Sequence, residues 1–150
     1  MTAKEYLGQI RKYDILIENK TKMIQRLREQ AESVTVAMGG ERVKSSGSND
    51  KLGDTIVKIL DLENAIKKDV ESMARVKEDV VRTIDKLGDA DLMNVLYKRY
   101  VHFKTWEEIP EEMGYTERTI YRLHGKALLA LQKYIPESCQ SKSVNVSQSQ

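Results

Sequence analysis

The sequence predicts an all-α protein: a long antiparallel helical hairpin, then a C-terminal pair of short helices joined by a tight turn. Three observations carry this. Apolar residues recur at alternating four- and three-residue steps through most of residues 1–87, the spacing of one helix face. A stretch rich in glycine, serine and asparagine interrupts that pattern between residues 35 and 50. Charged residues make up 32% of the chain and aromatics 6%, a balance that favours solvated helices over an aromatic-rich β core.

The first helix opens on Thr2. Glu5 stands three residues on, so hydroxyl and carboxylate can each satisfy an amide of the first turn. Behind them run Tyr6, Ile10, Tyr13, Ile17, Lys20, Ile24, Leu27, Ala31 and Val34, a heptad seam broken once by Lys20. A polar residue there either fixes register and partner number or sends its ammonium out to water. From Val34 to Asp50 the composition turns to loop chemistry, and Val34-Thr35-Val36 is too short to argue for a sheet. A flexible loop over 35–50 is expected. Asp50 can cap the second long helix. Its seam reads Leu52, Ile56, Ile59, Glu63, Ile66, Val70, Met73, Lys77, Val80, Ile84 and Leu87, with Leu60, Leu62, Val76 and Val81 widening the stripe. At ~1.5 Å per residue each arm is ~45–55 Å long. A coiled-coil hairpin over 1–87, long for its width, invites a second copy, so a homodimer is expected; a lone intrachain pair satisfies the same heptads.

Gly88 stops the second arm, and Asp89 or Asp91 caps a third helix. Leu92, Val95, Leu96, Arg99, Tyr100 and Val101 mark its course. Thr105 and Glu108 repeat the capping pattern, and Trp106, Ile109 and Met113 share a face. Gly114 supplies the turn. Thr116 caps a last helix whose inner stripe is Ile120, Leu123, Ala127 and Leu131. Two short helices joined this tightly cross steeply, which frees the outer face of the second to enter a DNA groove. Glu117, Arg118, Tyr121 and Arg122 lie on that face. Pro110 stands where such pairs usually carry a small residue. A bent or loosened first helix is expected from it, together with a gain in stability on Pro110→Ala. Residues 88–135 thus read as a helix-turn-helix DNA-binding domain, and 136–150, polar and serine-rich after Pro136, as a disordered tail.

The segment Trp106-Glu107-Glu108-Ile109, Gly114, Thr116 and Thr119-Ile120 resembles the helix-turn-helix of sigma-70 region 4, and Leu96 to Tyr100 resembles the Leu-x-x-Arg-Tyr pattern of that region's first helix. The loop Ser45-Ser46-Gly47-Ser48-Asn49-Asp50 and the run Tyr121 to Leu128 resemble small phage-encoded proteins of Gram-positive bacteria, a family of unknown function related to late-gene regulators. The resemblance implies a sequence-specific, sigma-like transcription regulator in the bacterial host cytoplasm. Nothing here resembles the promoter-melting region of a complete sigma factor, so an activator or accessory factor is implied. A small terminase-like packaging protein is the alternative, although there the DNA-binding part usually comes first. A protein-interaction module built on a helix-turn-helix is a third.

No enzyme is expected. His102 and His124 stand apart from each other and from Cys139, which leaves zinc no ligand set. Met38 and Val43 occupy the places where a phosphate-binding loop around Lys44-Ser45 needs glycines. The pairs Glu107-Glu108 and Glu111-Glu112 suit a solvated, capped helix face. No cofactor, metal or catalytic residue is expected, and no run is apolar enough to span a bilayer. One cysteine excludes an intrachain disulfide. Net charge is only +2, and within 88–135 seven Lys/Arg (Lys98, Arg99, Lys104, Arg118, Arg122, Lys126, Lys133) face seven Asp/Glu (Asp89, Asp91, Glu107, Glu108, Glu111, Glu112, Glu117). The signs segregate: the first helix of the pair is acidic, the second basic after Glu117. Binding to double-stranded DNA should therefore be modest and salt-sensitive, with dimerisation or RNA polymerase contact supplying the rest. Arg118 and Arg122 are expected at base edges, where the guanidinium fork fits guanine O6 and N7. Glu117 would accept from cytosine and Tyr121 would pack on sugar or a thymine methyl. Thr116, Lys126 and Lys104 would meet phosphate. The competing reading has both arginines merely paired with nearby carboxylates.

Overall fold

The computed structural model describes residues 1–38 and 46–136. Every regular element among them is helical: α1 (Ala3–Leu7), α2 (Gln9–Met38), α3 (Ser46–Asp85), α4 (Ala90–Leu96), α5 (Glu108–Met113) and α6 (Glu117–Gln132), with a π turn (Tyr97–Val101) continuing α4. Helix thus claims both edges of the stretch expected to be a loop. Its middle, residues 39–45, lies outside the described residues, as do Cys139 and the rest of the expected tail, 137–150. No helix among the described residues is long and apolar enough to cross a membrane.

The chain forms two compact units, residues 13–73 and residues 1–12 with the chain from 74 onward. In the first, Lys20 meets Asp69, and Arg28 Nη2 donates to Glu63 Oε1 at 2.7 Å. Partner numbers fall along α3 as they rise along α2, so the two segments run antiparallel. The α2 seam follows the expected spacing, with Tyr13, Ile17, Lys20, Leu27 and Ala31 half-buried and Ile24 buried. The α3 seam does not. Leu52, Ile59, Ile66 and Met73 are half-buried as expected, but between them the turned-in residues are Thr55, Leu62, Asp69 and Val76. Ile56 and Val70 stay about half exposed, at 49% and 48%. The stripe is shifted sideways by one residue. The cause is the Lys20–Asp69 pair, which draws Asp69 inward and so satisfies the ammonium that the sequence left without a partner.

In the second unit Thr2 and Glu5 form the expected capping box, with Thr2 N to Glu5 Oε2 at 2.8 Å and Glu5 N to Thr2 Oγ1 at 3.2 Å. Gly8 keeps right-handed dihedrals, and amide bonds run across it (Gly8 N to Lys4 O, Lys12 N to Gly8 O), so α1 and α2 are nearly continuous. Leu7, Ile10, Val80, Ile84, Leu96 and Leu131 are fully buried, and Tyr6 Oη bonds Thr83 Oγ1 at 2.9 Å inside this core. α6 packs on α4 and on α1. Ala3 N donates to Gln132 Oε1 at 2.8 Å, which ties the first helix to the end of the last. Asp89, not Asp91, caps α4, accepting from the amides of Asp91 and Leu92.

Candidate nucleic-acid interface

A second small core, Val95, Ile109 and Ile120, joins α4, α5 and α6, with Trp106, Met113 and Leu123 packed against it. Thr105 and Glu108 exchange both capping-box bonds, 2.9 and 3.2 Å, yet Trp106 and Glu107 form a turn and α5 starts only at Glu108. Pro110 is the reason. The Ile109 amide just before it already bonds the Thr105 carbonyl, but proline has no amide to offer Trp106, and its buried ring stands third in α5. Gly114 then takes φ 71° and ψ 26°, and the amides of Gly114 and Tyr115 both reach the Pro110 carbonyl, at 2.9 and 3.1 Å. Tyr115 Oη bonds Asp91 at 2.9 Å, fastening the turn to α4.

α6 comes next with Thr116 as cap, its Oγ1 accepting from Thr119 N at 3.2 Å. The same hydroxyl donates to Thr119 Oγ1, so its proton is committed within the turn and it offers phosphate less than expected. Ile120, Ala127 and Leu131 are buried. Glu117, Arg118, Arg122 and Lys126 are exposed, and Tyr121 is 52% exposed. All six expected site residues thus lie together on the cap and outer face of one helix. Arg118 and Arg122 form no ion pair among the described residues. Gly125 lies on the same stripe, with open space around it, and one turn further on Leu129 is 81% exposed. Lys104 is placed differently from expectation: with Lys98 it holds Glu112, at 3.3 and 3.1 Å. These two ammonium groups keep the Glu112 carboxyl below its usual range, the Lys98 hydrogen bond first.

An aromatic cluster behind α6 has almost no signature in the sequence. The Trp106 ring lies 5.0 Å from Tyr121 and 4.8 Å, edge-on, from His124. Arg99 lies over the Trp106 ring at 4.6 Å. Tyr100 stacks on His124 and shares a 2.8 Å hydrogen bond with its Nε2. Burial, with the nearby charges of Lys4 and Arg99, holds His124 below the ordinary imidazole range, while burial pushes the Tyr100 hydroxyl up. The one signal in the sequence was Trp106 itself, the only tryptophan. Its partners stand at unrelated spacings.

The family model described as protein of unknown function (DUF1492) matches residues 35–132, close to two thirds of the chain. The chain belongs to that family. The DUF1492 match takes in only the last residues of α2, but all of α3 to α6 and so the whole exposed stripe. No curated protein and no solved structure matches the chain.

Proposed function

We propose that this protein is a sequence-specific DNA-binding transcription regulator of phage origin. In this reading α5 and α6 are a helix-turn-helix of the sigma-70 region 4 type, within a DNA-binding domain of residues 88–135. Residues 1–87 are a coiled-coil hairpin that brings two copies together, and the protein acts as an activator or accessory factor beside RNA polymerase. The observation that carries the reading is the pair Arg118 and Arg122. Both are exposed, and without an ion pair among the described residues, on the outer face of a capped helix whose opposite face is anchored in the core. Guanidinium groups one turn apart can each offer a fork to the O6 and N7 of a guanine in the major groove. Lys126, one further turn along, suits a flanking phosphate. Tyr121 is backed by Trp106, so its exposed edge meets sugar or a thymine methyl from a fixed position.

Selection of bound duplexes from random sequence by the purified chain tests this. A defined consensus is expected. Arg122→Ala should relax preference at one base pair and cost about 1–3 kcal/mol, and Lys126→Ala should weaken all duplexes alike and flatten the salt dependence by about one phosphate contact. Recovery of random sequence, or binding indifferent to both changes, overturns the proposal.

A further inference from the structure

Within the unit built from residues 1–12 and 74 onward lies a cavity of about 500 Å³. Lys4 and Arg11 line it from the first helices, and Arg99, Tyr100, Phe103 and Thr105 from the segment after α4. The lining holds three cations and no carboxylate. Two unusual backbone features build it. Arg99 and Tyr100 belong to the π turn, a conformation found often at functional sites. Phe103 takes φ 55°, a strained conformation for a bulky residue that persists only where surrounding contacts hold it.

Two of the three cations are set in place by contacts inside the fold. Arg99 donates to the Lys104 carbonyl at 3.1 Å and lies on the Trp106 ring; Arg11 lies 5.1 Å from the Phe103 ring centre. Lys4 is exposed at the rim and forms no ion pair among the described residues. Thr105 Oγ1 accepts from the Glu108 amide, which leaves its own proton to donate. Cations held this way lose little freedom when an anion arrives. Phosphate oxygens suit them, because a guanidinium can grip two oxygens at once.

We propose that this cavity binds a small phosphorylated ligand, its phosphoryl oxygens held by Lys4, Arg11 and Arg99 with the Thr105 hydroxyl as a further donor. The volume falls within the range for small-molecule sites, so a molecule of nucleotide size fits where inorganic phosphate alone would leave it largely empty. The proposal stands whether or not α6 enters a DNA groove. Because Arg99 lies against Trp106, the single indole reports occupancy.

The test titrates the full chain with pyrophosphate and with ADP, followed by Trp106 fluorescence and by calorimetry, which reads binding that the indole does not. Saturable binding of at least one of them is expected. Lys4→Glu should weaken it by at least about tenfold, ~1.4 kcal/mol, while far-ultraviolet circular dichroism stays unchanged, since a glutamate suits the first turn of a helix. Arg11→Glu should do the same and Arg11→Lys recover part of the loss. Three results would overturn the proposal: no saturable binding of either probe, binding indifferent to Lys4→Glu and Arg11→Glu, or displacement of the bound probe by a short DNA duplex, which would make the cavity part of a duplex surface.

Discussion

His124 carries more of the local energetics than its position on an outer helix suggests. Its ring is half-buried between Tyr100 and Trp106, and burial, Lys4 and Arg99 all disfavour its charged form. The folded-state pKa is therefore below the unfolded one, whose ordinary value is 6.5. The unfolded chain takes up the proton first, so this contribution is complete above that value and declines as pH falls toward the folded pKa. Chemical denaturation between about pH 7.5 and pH 5.5 should show stability falling, and His124→Asn should flatten the fall even if it lowers stability at both ends; an equal slope in the variant would assign the effect elsewhere. None of this was legible in the sequence. Arg99, Tyr100, Trp106, Tyr121 and His124 share no helical spacing across the intervening turns, and only the fold brings them together.

At the scale of elements, the caps and the turn were legible because they are local: Thr2–Glu5, Thr105–Glu108, Gly114 and Thr116 each act within four residues. The α3 seam was not, because two overlapping heptads compete in that helix. One offers Ile56 and Val70, the other Leu62 and Val76, and the contact between Lys20 and Asp69 decides between them. Asp69→Ala should destabilise the protein by about 1–2 kcal/mol by stranding a part-buried ammonium, while Lys20→Leu with Asp69→Leu should restore it, read as urea midpoints. If the double variant remains as weak as the single one, the pair supplies more than mutual neutralisation. In α6, Gly125 costs about 1 kcal/mol relative to alanine and has no packing reason, since nothing lies within 4 Å of an added Cβ. Gly125→Ala should raise the melting temperature. Weaker duplex binding by the same variant would mean that the glycine is kept for close approach of a partner.

For the molecule as a whole, the apolar residues left about half exposed on α3, among them Ile56, Val57, Leu60 and Val70, are what a second copy would cover. Sedimentation of the wild type should give a dimer, and Leu60→Glu should shift it toward monomer by placing a charge in that contact. A wild-type monomer at working concentration would remove the homodimer from the proposed mechanism and leave polymerase contact to supply the missing affinity. The bond between Ala3 and Gln132 has a further outcome, for synthesis. Residues 13–73 make their own cross-helix contacts and can settle as soon as they leave the ribosome. Helix α1 can meet Thr83 once α3 is made, but its bond to Gln132 waits for the end of α6. A nascent chain that stops short of α6 would keep the Tyr6–Thr83 contact but lack the Ala3–Gln132 clasp, which leaves α1 easier for chaperones and proteases to open.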